Sequence, residues 1–162
     1  VSIAVGQANQ IMIGQLVGAE EIEEAYETGL KNFKTAMIFS VISGVVVFLF
    51  GEQFMSIYTT NQKIIAIGAT TLMVDAFLEP GRNFNLVLIN GLRGAGDVIF
   101  PVVMAVISMW GFGVLGGYIF GVVLGYGLPG IWFGLLLDEW IRGICMLWRW
   151  NSRKWVEKAM VN

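Results

Sequence analysis

The 162-residue chain is 56% hydrophobic and only 14% charged, with a formal net charge of −2 and no histidine. A soluble domain carries about 25% charged residues; here the shortfall is concentrated in long uncharged runs, so the bilayer is the expected solvent. An acidic balance without a basic run excludes a nucleic-acid partner, Cys145 as the only cysteine excludes an intrachain disulfide or a cysteine metal cluster, and the lack of histidine removes zinc chemistry and histidine acid–base catalysis.

Along the chain, the pattern predicts an all-α membrane protein: a bundle of about five transmembrane helices, at 1–18, 32–52, 64–92, 98–123 and 128–149. Helices are expected because lipid offers no partner for unpaired backbone groups, and the runs are too long for barrel strands. The first run, Val1–Ala19, is uncharged. It is nevertheless polar for a span, with Gln7, Asn9, Gln10 and Gln15, whose amides either tie helices together or line a route for a polar solute. It opens at Val1 with no basic stretch ahead of it, so the expectation is a cut through a helix of a longer protein rather than a signal peptide. Glu20–Lys31 (EEIEEAYETGLK) reads as a short charged surface helix. The uncharged run Thr35–Gly51 makes the second span, and the polar stretch Gln53–Lys63 connects it to the third.

The third helix is unusual. Asp75, Glu79 and Arg82 fall at i, i+4 and i+7, one face of a helix, near the middle of the span. An ionisable residue there costs at least about 2.5–3.5 kcal/mol on insertion scales and faces a bundle interior or wet cavity, where it marks an ion or substrate path. The alternative is a structural Glu79–Arg82 pair that ties helices together. Asn83 belongs with the cavity-facing set. Pro80 cannot donate to the carbonyl of Ala76, so a kink is expected at Pro80 and Gly81, of the kind that exposes polar groups in transporters. Gly91-Leu-Arg-Gly-Ala-Gly96-Asp97 reads as a tight turn. It follows no strand and lacks the GxxxxGK[ST] spacing, so it is not a phosphate loop.

From Val98 to Leu137 no residue is charged, and the turn at Gly125–Gly130 divides this run into two spans. Gly113, Gly117, Gly121 and Gly125 repeat every four residues, a small-residue stripe for close helix packing. On the last helix Asp138, Glu139 and Arg142 form a second buried charged set, with Asp138 and Arg142 spaced to neutralise each other. The remainder, 150–162, reads as a basic amphipathic cytoplasmic tail whose Trp150 and Trp155 suit the membrane interface. With five spans, one side of the membrane receives Lys31, Lys34, Arg93, Arg149, Arg153, Lys154 and Lys158, and the other Lys63 alone. The positive-inside rule therefore places the C-terminus in the cytoplasm.

Three stretches carry a family resemblance: VGQANQIMIGQLVGAEEIEEA, LEPGRNFNLVLINGLRGAGDVIFPV and LPGIWFGLLLDEWIRGICMLWRW. Together they resemble the C-terminal half of multidrug and toxic compound extrusion (MATE) transporters over almost the whole chain. The resemblance implies a pseudo-symmetric twelve-helix protein, of which this chain supplies the end of the eighth helix and the ninth to twelfth. It implies a secondary antiporter of the plasma or bacterial inner membrane that exports small organic cations in exchange for protons or sodium. It also implies no enzyme activity, no cofactor, and an N-terminal lobe as partner. In many members an acid on the tenth helix contributes to a cation site. The acids of that helix here are Asp75 and Glu79, and the chain departs from the pattern at Arg82, where some members carry an acid. Two other readings stand beside it: a lipid-linked oligosaccharide flippase of related fold, and a non-transporting membrane scaffold.

Overall fold

A computed structural model describes residues 2–159; Val1 and the last three residues of the expected tail lie outside the described residues. The described residues form six helices and no strand: α1 (Ser2–Gly18), α2 (Ile22–Tyr58), α3 (Gln62–Gly94), α4 (Ile99–Val123), α5 (Gly127–Asn151) and the single turn α6 (Val156–Ala159). Three of them, α2, α3 and α4, are long and apolar enough to cross a membrane. α1 has 17 residues, and α5 carries Asp138, Glu139 and Arg142 in its middle.

The hub is α3, which packs along α1, α2 and α5, while α4 lies on the far side of α5. Outward faces are greasy: Ile38, Ile42, Val45 and Leu49 on α2, and Val102, Val106, Trp110 and Leu115 on α4, are all exposed. This is the pattern of a bundle solvated by lipid, with its polar groups turned inward.

Two expectations change at α2. Glu20–Lys31 is not a separate surface helix, because all but its first two residues join the span in one helix of 37 residues. At about 1.5 Å per residue this is about 55 Å, against about 30 Å of hydrocarbon, so the charged first turns project beyond the membrane. The helix also runs past residue 52 to Tyr58, with non-helical angles at Phe50 (φ −114°, ψ 16°), just before Gly51. By contrast α3 runs unbroken through Pro80 and Gly81. The Ala76 carbonyl that Pro80 leaves without a donor is covered by Gly44 of α2, where a Cβ would stand only 2.6 Å from that oxygen. Gly81 makes room for the Trp140 indole, which a Cβ would meet at 2.6 Å and which donates to the Phe77 carbonyl at 2.9 Å.

α1 and α3 end in the same way. After α3, Asp97 N–H donates to the Leu92 carbonyl (2.9 Å) and Gly96 N–H to that of Arg93 (3.1 Å), the double bond of a Schellman cap with Gly96 at φ 86°. After α1, Glu21 N–H donates to Leu16 (2.9 Å) and Glu20 N–H to Val17 (3.0 Å), with a glutamate, Glu20, at φ 64° where glycine is usual.

The C-terminal segment departs most from expectation. Trp150 and Trp155 do not face outward as interfacial anchors would; both are fully buried in the core with Phe84, Leu88, Leu92 and Met146. Trp150 stacks on Trp155 at 4.7 Å and enters the space above Gly29 and Gly91. Arg149 pairs with the buried Asp97 at 2.6 Å, and Arg153 grips Glu23 through two hydrogen bonds of 2.7 Å. Two indoles and two guanidiniums thus fold residues 152–159 back over the caps of α1 and α3.

Candidate functional site

The polar face of α3 meets α5 near the middle of both helices. Asp75 accepts a 3.0 Å hydrogen bond from Nε1 of Trp132 on α5. Glu79 pairs with Arg82 one turn along the same helix, so that pair by itself ties no two helices together. The ties between helices come from Glu139: its Oε1 lies 3.9 Å from Arg82 Nε, and its Oε2 accepts a 2.7 Å bond from Asn85 Nδ2. Trp132 and Glu139, seven residues apart, share the α5 face toward α3. The result is two carboxylates, Glu79 and Glu139, paired with one guanidinium, and a third, Asp75, one turn along α3 from Glu79 and bonded to Trp132 instead. Arg82 and Glu79 keep side-chain exposures of 41% and 32%, so this is an open cluster rather than a sealed one.

The second expected charged set divides. Glu139 joins the α3 cluster, whereas Asp138, one residue earlier and about 100° around the helix, faces α4. There it accepts a hydrogen bond from Ser108 Oγ and pairs with Arg142. Asp138 is buried and neutralised in place, a polar tie between α4 and α5. The glycine stripe divides in the same manner. Gly113, Gly117 and Gly121 lie against Asp138 and Ile131 of α5, but Gly125 has no neighbour within 4 Å and takes φ 73° in the turn. Two stretches of α4, Met109–Val114 and Ile119–Val123, are π-helical. Such bulges place the glycines against a partner that a regular helix would face at another angle.

The amides of α1 separate into two roles. Asn9 is buried, donates to the Val87 carbonyl at 2.9 Å and accepts from Asn32 at 2.9 Å, so it joins α1, α2 and α3. Gln7, Gln10 and Gln15 line an open groove of about 650 Å³ that ends at Arg93. Asn83, expected in the cavity-facing set, is buried between α2 and α3 and lines a different groove together with Glu79 and Ser40. An aromatic groove of about 590 Å³, with Met73, Phe77, Phe133 and Trp140, opens elsewhere on the α3–α5 pair and contains none of the carboxylates.

Asn85, Trp132 and Ser40 were not singled out in the sequence. Trp132 could have been found from its spacing of seven to Glu139. Ser40 carried no signal, because a lone serine in an apolar run reads as a small packing residue.

The geometry agrees with what the chain is similar to. The family model MatE matches residues 1–119. The uncharacterized transporter YisQ of Bacillus subtilis is 43% identical over 157 residues, 97% of this chain and 34% of the relative. A probable multidrug resistance protein NorM of Idiomarina loihiensis is 31% identical over 144 residues, 84% of this chain and 30% of the relative. A NorM of the same description from Bacillus cereus is 27% identical over 135 residues, 83% of this chain and 30% of the relative. The chain therefore spans about a third of the length of these relatives. An all-α bundle with lipid-facing outer surfaces and a family match across most of its length lead to one assignment: the chain belongs to the MatE family.

Proposed function

We propose that the whole protein is a secondary antiporter that exports small organic cations in exchange for protons or sodium, and that this chain contributes most of its C-terminal lobe. One observation carries the reading: two carboxylates paired with one guanidinium, and a third carboxylate one turn away, in a partly open cluster near the middle of α3. A purely structural network would be expected to neutralise itself, as Asp138 and Arg142 do with Ser108 a few residues away. An excess of carboxylate in an open cluster instead supplies a place for a mobile cation. Glu79, with Asp75 one turn away, loads and releases the coupling ion, and Arg82 tunes it while Glu139 and Asn85 hold Arg82 in position. The names of the NorM relatives support the drug-export part of the reading. Export requires the rest of the protein, whose other lobe closes the cavity, and the Lys and Arg distribution favours a cytoplasmic C-terminus.

The flippase reading finds less support. A pyrophosphate would call for free cations at depth, and Arg82 and Arg142 are both held by carboxylates.

The test is a double-mutant cycle in the full-length protein reconstituted in vesicles. Glu79→Gln should abolish gradient-driven efflux, and Glu79→Gln/Arg82→Gln should restore expression without restoring the dependence on a proton or sodium gradient. Recovery of gradient-driven efflux in the double variant would return Glu79 to a structural role and refute the coupling assignment.

A further inference from the structure

Asn85 of α3 is 2% exposed, and the two ends of its amide fare differently. The nitrogen donates to Glu139 Oε2 on α5 at 2.7 Å. The oxygen, Oδ1, is buried without a hydrogen-bond partner among the described residues. Buried polar groups are nearly always paired, and leaving one unpaired carries the full desolvation penalty. Turning the amide over does not remove the difficulty. Oδ1 would then face Glu139 Oε2 at about the same separation, and two oxygens approach so closely only with a proton between them.

Glu139 is short of partners as well. Its Oε2 has the Asn85 bond, while its Oε1 has the Arg82 guanidinium at 3.9 Å, beyond hydrogen-bond reach. That guanidinium is already engaged by Glu79. The charged groups on the facing side of α3 are Arg82, Glu79 and Asp75, and Asp75 is bonded to Trp132. α4, which packs against α5 elsewhere, carries no charge, and Asp138 and Arg142 of α5 itself pair with each other beside Ser108. Two carboxylates therefore share one cation, and the one with the weaker hold on it lies against an unused acceptor.

We infer that Glu139 is a proton-binding site and that Asn85 is the group that receives its proton. A protonated carboxyl and a primary amide join through two hydrogen bonds, amide N–H to carboxyl C=O and carboxyl O–H to amide oxygen. The first is in place, and the second is the bond that Asn85 Oδ1 lacks. Proton uptake from water forms the O–H bond on Glu139, removes one negative charge and leaves Arg82 to Glu79; release reverses each change. The Glu139 side chain keeps 18% of its surface exposed, so the carboxyl is not sealed from water. This goes beyond the export reading, which assigns ion loading to Glu79, and does not rest on it.

The experiment is difference infrared spectroscopy of the purified full-length protein, titrated from alkaline to acid pH, comparing wild type, Glu139→Gln, Glu79→Gln and Asn85→Leu. Wild type should gain the C=O band of a protonated carboxyl that Glu139→Gln loses and Glu79→Gln retains. Asn85→Leu should shift that band to higher frequency, because the carbonyl no longer accepts the amide N–H. Glu139→Gln keeps the shape and pairs with Asn85 through the same two bonds, so it should melt no lower than wild type and carries the test even where Asn85→Leu does not fold. Identical titration spectra for wild type and Glu139→Gln, or a band unmoved in Asn85→Leu, would overturn the inference. A lower melting temperature in Glu139→Gln would do the same, marking Glu139 as a fixed counter-ion. Efflux in the Glu79 and Arg82 cycle judges the export reading separately, so either can fail alone.

Discussion

Trp150→Ala should free the C-terminal segment from the bundle. The indole has no exposed surface, stacks on Trp155 at 4.7 Å and lies parallel to Tyr26 at 6.3 Å. It fits only because two neighbours lack side chains: a Cβ on Gly29 would stand 2.3 Å from its Cζ2, and one on Gly91 3.2 Å from its Cζ3. Truncating a buried Trp to Ala costs about 3–5 kcal/mol, cavity included, of which the aromatic pairing accounts for about 0.5–1.5 kcal/mol. What would remain to hold the segment is Trp155, buried in the same core and donating to the residue-150 carbonyl at 3.1 Å, and the solvent-exposed Arg153–Glu23 pair with the Arg153 cation 4.2 Å from the Tyr26 ring centroid, which water screens strongly. At the lower end of its range the loss is about 3 kcal/mol. Local opening of the segment should therefore become about a hundredfold more frequent, taking about 1.4 kcal/mol per factor of ten. Limited trypsin digestion of the intact protein in detergent, followed by mass spectrometry, reads this directly as faster cleavage after Arg153 and Lys154. Trp150→Phe should give an intermediate rate, and Gly29→Leu should reproduce the effect by displacing the ring. Cleavage of Trp150→Ala no faster than wild type, with an unchanged melting temperature, would refute the account of how the chain end is held.

Glu20 occupies the left-handed position of the α1 cap, so Glu20→Gly should stabilise the protein by about 1 kcal/mol; a thermal melt that falls would show that the cap strain is absent. At the α4–α5 crossing a Cβ on Gly134 would lie 2.2 Å from the backbone nitrogen of Gly117, whereas one on Gly111 meets nothing within 4 Å. Gly134→Ala should therefore cost about 1–3 kcal/mol by overpacking, while Gly111→Ala should gain up to about 1 kcal/mol from helix propensity; equal effects in denaturant melts would contradict the crossing. With Cys145 replaced, a cysteine at the exposed Thr60 should react with an impermeant reagent from outside and one at the exposed Ser152 should not; reversed labelling would invert the orientation.

The long helices were legible from the chain because lipid imposes a single rule: apolar runs of sufficient length, closed by Gly-rich or polar turns, must be helical. α3 was expected at 64–92 and runs from Gln62 to Gly94. The face carrying Asp75, Glu79 and Arg82 was equally legible, since 3.6-residue periodicity assigns a side chain to its own helix face. Periodicity within one helix says nothing about which helix lies opposite. Tertiary structure alone therefore decided that Glu139 joins that face while Asp138 turns to Ser108, that Gly81 admits Trp140, and that Gly44 covers the carbonyl Pro80 leaves open. The same limit explains Trp150 and Trp155. An indole beside basic residues at the end of a span has the composition of an interfacial anchor, and only the gaps above Gly29 and Gly91, distant in sequence, turn it into core. Local pattern fixes secondary structure through backbone hydrogen bonding and solvent; burial and pairing depend on what the rest of the chain brings to the other side.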